Sequence, residues 1–238
     1  MSSELLLNDL LLRQDTWRGH NRSIRKHVVS TGNDHLDRFL LGGWPVSALT
    51  ELSTRQHGIG ELSLLLPVLK SYAHKEQLCV WLDPPYQPYA PSLVAANIPL
   101  DKLLIVRSKN AKEWLWAAEQ VIRGKALLFA WANQINPNYA ALRKLQLAAA
   151  DSFSPAFLFR GNATLNTPSP AILRIELEGI KTNVVSLMLH KLKGKMPGAK
   201  INISLGDEAL ERIPLEKLPV NICYPKSVKE SESQHLNA

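Results

Sequence analysis

Short apolar runs separated by segments of helical length constrain this chain more than any other feature. Residues 49–52, 78–82, 103–106, 126–130 and 156–159 each read as a strand, and residues 62–72, 91–96, 112–122 and 139–150 read as the helices between them. Strand and helix alternating in this way signal βαβ units and a parallel sheet. The run Ala126-Leu127-Leu128-Phe129-Ala130 has no polar alternation, which fits a strand covered on both faces. The expected class is therefore α/β, with a mostly parallel central sheet flanked by helices.

The flanking segments refine that layout. Residues 34–41 place Leu36, Phe39 and Leu40 at helical spacing and stop at Gly42-Gly43, a natural helix terminator. In residues 112–122, Trp114, Leu115, Ala118 and Ile122 share a face. Pro67 sits awkwardly inside the segment 62–72, because proline lacks an amide hydrogen. From residue 172 the pattern changes to three strand-like runs, 172–177, 184–189 and 199–205, read as an antiparallel C-terminal extension joined by short turns. Residues 1–30 read as a leucine-rich helix followed by a basic segment, 31–205 as the α/β domain, and 206–238 as a polar, partly disordered tail.

Charge and cysteine usage exclude several classes. The net charge is +7, with Arg13, Arg18, Arg22, Arg25 and Lys26 near the start and Lys191, Lys193, Lys195 and Lys200 forming a second cluster. A basic surface attracts phosphates and acidic proteins, so these residues are either a nucleic-acid contact or a solvated face. Cys79 and Cys223 lie far apart with no metal-ligand spacing, which argues against zinc and suits a reducing cytoplasm. No apolar run approaches the roughly 20 residues of a membrane span. The leucines from Leu5 to Leu12 are interrupted by Asn8 and Asp9 and lack a basic lead, unlike a signal peptide.

The order of motifs resembles the ATPase core of RecA-type recombinases. The resemblance starts at Thr31-Gly32-Asn33-Asp34-His35-Leu36-Asp37, runs through Gly42-Gly43-Trp44-Pro45-Val46-Ser47-Ala48-Leu49-Thr50-Glu51-Leu52, and returns at Trp81-Leu82-Asp83-Pro84-Pro85 and Leu189-His190-Lys191-Leu192-Lys193. It implies a RecA-like fold. The phosphate loop departs from the family pattern. A Walker A loop needs glycine, four residues, then glycine-lysine-serine or threonine to cradle phosphate and hold magnesium. Setting Gly60 at the second glycine puts Arg55 at the first, Glu61 at the lysine and Leu62 at the hydroxyl residue, with Gly58 inside the loop. Reversing a charge facing phosphate at a few ångströms costs several kcal/mol. Asp83 is present after the next strand, but Pro85 stands where the family carries a general-base glutamate. No acid follows the run 126–130, where Trp131, Ala132 and Asn133 stand instead. The expectation is a pseudo-ATPase with no cofactor and no catalytic residue.

The replacements themselves resemble the ImuA family, RecA-like accessories of a bacterial mutagenic repair cassette. The resemblance is carried by His57-Gly58-Ile59-Gly60-Glu61-Leu62-Ser63-Leu64-Leu65-Leu66-Pro67, by Trp81–Pro91, by Trp116-Ala117-Ala118-Glu119-Gln120, by Leu142–Ala149 and by Phe157-Leu158-Phe159-Arg160. It implies a cytoplasmic accessory of SOS-induced translesion synthesis. The implied partners are an ImuB-like inactive Y-family polymerase, an error-prone replicative-type polymerase and RecA, with weak DNA contact and self-association left open. The SulA division inhibitor is similar over residues 61–160 but lacks the glycine-rich entrance and the lysine-rich C-terminal segment. SulA-type binding to the tubulin-like division protein is the alternative.

Candidate surfaces follow. Trp81, Trp114, Trp116 and Trp131 are read as core. Tyr86 and Tyr89, between prolines after a strand end, are candidates for a partner surface, as are Leu6 and Leu10 in the N-terminal helix. Arg22, Arg25, Lys26, Lys191, Lys193 and Lys195 are the candidate DNA or interface cations; Lys191 and Lys193 also resemble the recombinase lysines that reach toward a neighbour's nucleotide. His57 has no nucleophile placed beside it in sequence and reads as a loop residue.

Overall fold

The computed structural model describes residues 27–132, 134–181 and 183–205. Leu6, Leu10, Arg22, Arg25 and Lys26, and the tail from 206, lie outside the described residues.

The elements run in chain order as β1 (Val28–Val29), α1 (Asp34–Phe39), β2 (Trp44–Pro45), β3 (Ala48–Thr54), α2 (Leu66–Ala73), β4 (Cys79–Leu82), α3 (Ala90–Ala95), β5 (Leu103–Val106), α4 (Ala111–Arg123), β6 (Leu127–Trp131), α5 (Tyr139–Ala150), β7 (Pro155–Gly161), β8 (Leu173–Lys181), β9 (Val184–Leu192) and β10 (Lys200–Ser204). Among the described residues β1 and β2 form a small antiparallel ribbon, and the other eight strands form one sheet in the order β10-β9-β8-β3-β7-β6-β4-β5. Strands β3 to β8 are mutually parallel; β9 runs antiparallel to both β8 and β10. The fold is α/β with a mostly parallel sheet, as the alternation of runs requires. One expectation is corrected: the run at 172–177 does not open an antiparallel extension, because β8 pairs in parallel with β3, and the reversal begins only at the turn into β9.

Two apolar layers hold helices on opposite faces. On one, α1, α2 and α3 pack Leu36, Phe39, Val68, Leu69, Tyr72 and Leu93 against Leu52, Trp81, Phe129, Phe157 and the inward residues of β8 and β9. On the other, Trp114, Ala118 and Ile122 of α4 and Leu142 and Leu145 of α5 cover Leu49, Leu82, Leu128, Ala130 and Leu158. No residue of β8, β9 or β10 belongs to this second layer. The alternate positions of β8 and β9 carry Arg174, Glu176, Glu178, Ser186, Met188 and His190, so the face away from the first layer is mostly polar.

Local chemistry sets the helix starts. Asn33, Asn110 and Asn138 cap α1, α4 and α5, each side-chain oxygen accepting from an amide in the first turn. The helix expected over 62–72 begins at Leu66, which puts Pro67 in its first turn, where a missing amide hydrogen costs nothing. Residues ahead of it make looser turns, with the Leu64 amide donating to the Gly60 carbonyl and the Leu66 amide to Leu62. Trp81, Trp114 and Trp131 are core, but Trp116 is 64% exposed, a correction. Two residues beyond Trp114 is some 200° around a helix, so both cannot face the sheet.

Candidate functional site

The turn after β3 carries the sequence's most unusual substitution. Gly58 and Gly60 both adopt left-handed backbone, with φ of +81° and +99°. A β-carbon on Gly60 would meet only the movable end of the Leu205 side chain, so it is the left-handed backbone that favours glycine there. The turn aims successive amides inward, an arrangement that binds anions. The anion present is the chain's own. The Glu61 carboxylate accepts from the Gly58 amide at 2.9 and 3.1 Å through its two oxygens, and from the Ile59 amide at 2.9 Å. Its residue is 5% exposed, and His57 Nδ1 lies 3.8 Å from Oε1. Leu62 packs against the first apolar layer, and Arg55 is exposed at the loop's start. The loop's hydrogen-bonding capacity is thus turned on an internal carboxylate.

Asp83 is also engaged. It takes φ of +51° after β4. Its carboxylate accepts from the Ser108 amide at 2.7 Å and from the Ser108 hydroxyl, which ties the end of β4 to the residue following β5's neighbour Arg107. Arg107 in turn donates to the Pro84 carbonyl. Tyr86 and Tyr89 project from the loop that follows, 72% and 60% exposed.

A buried charge cluster that sequence reasoning missed lies in the middle of the sheet. Glu51 of β3 is 0% exposed and meets Arg160 of β7 at 3.2 Å and Arg174 of β8 at 2.8 Å. The Ser169 hydroxyl donates to the same carboxylate at 2.6 Å. Arg160 also donates to Asn136 Oδ1 and the Pro137 carbonyl, and Arg174 to the carbonyls of Thr164 and Thr167. One buried carboxylate therefore pins both connections that leave β6 and β7. Burial lowers the affinity of Arg160 for its proton, opposed by Glu51, with Arg174 adding to the lowering. The signal was available: a lone acid in one apolar strand and a lone base at the end of another must be paired or expelled.

The lysine candidates separate. Lys191 donates to the Ser169 carbonyl at 2.9 Å, and its pKa falls below the ordinary value through desolvation and then through Arg174. Lys195 donates to the Phe39 carbonyl at 2.7 Å with its ammonium 3.7 Å from the centre of the Phe39 ring. Lys193 is exposed. Lys195 thus fastens the β9–β10 turn to α1, while Lys191 joins the edge of the charge cluster.

Beside the loop, at the carboxyl ends of β3 and β8, is a cleft of about 440 Å³ that includes Thr54, Arg55, Asn162, Glu176 and Ser186. Ligand crevices in open α/β sheets lie at this end of the strands. Among the described residues, no helix is long and apolar enough to cross a membrane, and no group of three or more His, Cys, Asp or Glu side chains is placed to hold a metal ion. Compared with known proteins, the chain matches no family model and no curated protein.

Proposed function

We propose that this chain is a non-catalytic, RecA-like accessory protein of the ImuA type, acting in SOS-induced translesion synthesis through contacts with an ImuB-like partner of polymerase fold. The observation that carries the reading is the Glu61 carboxylate bonded to the amides of Gly58 and Ile59. A phosphate seeking those donors meets a fixed negative charge and must break charge-assisted hydrogen bonds to enter. A mostly parallel sheet in which, among the described residues, β9 alone is reversed supports the recombinase resemblance. Asp83 is engaged at Ser108, and Pro85, standing where the resemblance would put a general-base glutamate, offers no proton acceptor.

With its loop closed on itself, the body is suited to docking. The exposed Tyr86 and Tyr89, amphipathic rings on a loop held by Asp83 and Arg107, are the partner surface this reading favours. Affinity purification of the tagged chain from DNA-damaged cells tests it. The expected outcome is recovery of a Y-family polymerase homologue, with recovery reduced in Tyr86→Ala/Tyr89→Ala protein. Recovery of the tubulin-like division protein, with septation blocked on overexpression, would favour the SulA-type alternative instead.

A further inference from the structure

Among the described residues, no strand lies beyond β5, which ends the sheet on one side. An edge strand offers a row of unpaired amides and carbonyls, and natural edges are usually blunted by charge, proline or a covering segment. β5 reads Leu103-Leu104-Ile105-Val106, with neither charge nor proline. On the α4 side this edge continues into an apolar cleft of about 450 Å³ lined by Leu78, Val80, Leu104 and Val121. Val80 and Leu104 lie in register on neighbouring strands, and Leu78 and Leu104 are 44% and 46% exposed. Gly124 and Ala126, also in the lining, put little bulk beside them. An open apolar edge with an apolar cleft along it is a surface that a further segment of chain covers.

The chain holds an occupant of the right chemistry. Residues 1–26 precede the described structure and include Leu5, Leu6, Leu7, Leu10, Leu11 and Leu12. The point of entry sets their reach. The His27 ring meets Phe153 edge-on, with centroids 5.9 Å apart. The hydroxyl of the next residue, Ser154, donates to the Lys125 carbonyl at 2.8 Å, and Lys125 stands in the cleft lining. The chain therefore enters at the end of the sheet where the cleft lies. From β7 to β5 is three strand spacings, roughly 14 Å, whereas residues 13–26 span roughly 45 Å when extended. Charge agrees with this: the lining carries Lys125 and no acid, and residues 1–12 carry Glu4 and Asp9 and no cationic side chain. A tethered segment also acts at an effective concentration of roughly millimolar, which favours it over a second copy of the chain in dilute solution.

We propose that the leucine segment Leu5–Leu12 folds back onto its own chain and fills the cleft beside β5, closing that edge of the sheet to other strands. The cleft, the bare edge and the entry point at His27 carry this independently of the accessory-protein reading above.

A nitroxide attached at Ser3→Cys in the full chain, with Cys223→Ser, tests it by methyl NMR; Cys79 is buried and stays unlabelled. The expected result is loss of the Leu78, Val80, Leu104 and Val121 methyl signals, unchanged on dilution. Leu6→Asp/Leu10→Asp restores those signals, and Leu104→Asp, at a half-exposed position, restores the other three. Undiminished signals in the nitroxide-bearing chain, or a loss that survives Leu6→Asp/Leu10→Asp, would overturn the assignment. A mixture of nitroxide-bearing chain with isotope-labelled chain free of nitroxide separates the two sources of the segment. Full signal is expected in that mixture; loss there would give the cleft to a second copy and overturn closure within one chain.

Discussion

At the residue scale, Glu61 and Glu51 show two uses of a buried carboxylate. Glu61 holds a turn by accepting from backbone amides, and Glu61→Ala leaves those donors open to water. Stability then falls by about 1–3 kcal/mol in denaturant titrations, and amide exchange at Gly58 and Ile59 accelerates. Glu51 lies between two guanidinium groups away from solvent, so Glu51→Ala strands both charges and costs about 3–5 kcal/mol, read as a fall in denaturation midpoint. Cys79 is a third case. Burial pushes its thiol up to about 12 from an ordinary 9.0. Because the folded pKa is the higher, the stability this thiol contributes is complete below pH 9 and is lost as pH rises from 9 toward 12. In a Cys223→Ser protein, thiol labelling at pH 8 should therefore proceed at the rate of unfolding; prompt labelling of native protein would refute the burial.

At the element scale, α4 separates packing from exposure within three residues. Trp114 is wholly buried, with its indole Nε1 donating to the Trp131 carbonyl at 3.1 Å, whereas Trp116 faces solvent. Trp114→Ala is expected to cost about 3–5 kcal/mol, and Trp116→Ala to stay within about 0.5 kcal/mol, both by thermal or chemical unfolding. The strands β4, β5, β6 and β7 and the helices α4 and α5 were legible because continuous apolar runs and a 3.6-residue stripe are local properties. The start of α2 was misplaced because Leu62, Leu64 and Leu65 continue an apolar pattern through a turn that Pro67 then follows. The parallel pairing of β8 was not legible, since strand direction depends on which neighbour a run meets in space.

At the scale of the whole molecule, the legible part of the candidate site was its departure from a phosphate-binding pattern: Arg55, Glu61 and Leu62 could be read off directly. That the Glu61 carboxylate turns inward onto Gly58 and Ile59 could not, because left-handed turns place amides in ways that spacing does not encode. Nor could the convergence of Glu51, Arg160 and Arg174, which are brought together from three strands that sheet order alone makes neighbours. The resulting molecule has a rigid charged centre, two apolar layers and a strand-end face whose loop is satisfied internally.

The most direct measurement is an NMR titration of the intact chain with magnesium and ATP, following the amides of Gly58, Ile59 and Gly60. A loop already occupied by its own carboxylate predicts no saturable shift at those amides in the native protein. Saturable shifts there, with nucleotide seated against the turn and Glu61 displaced, would contradict the account.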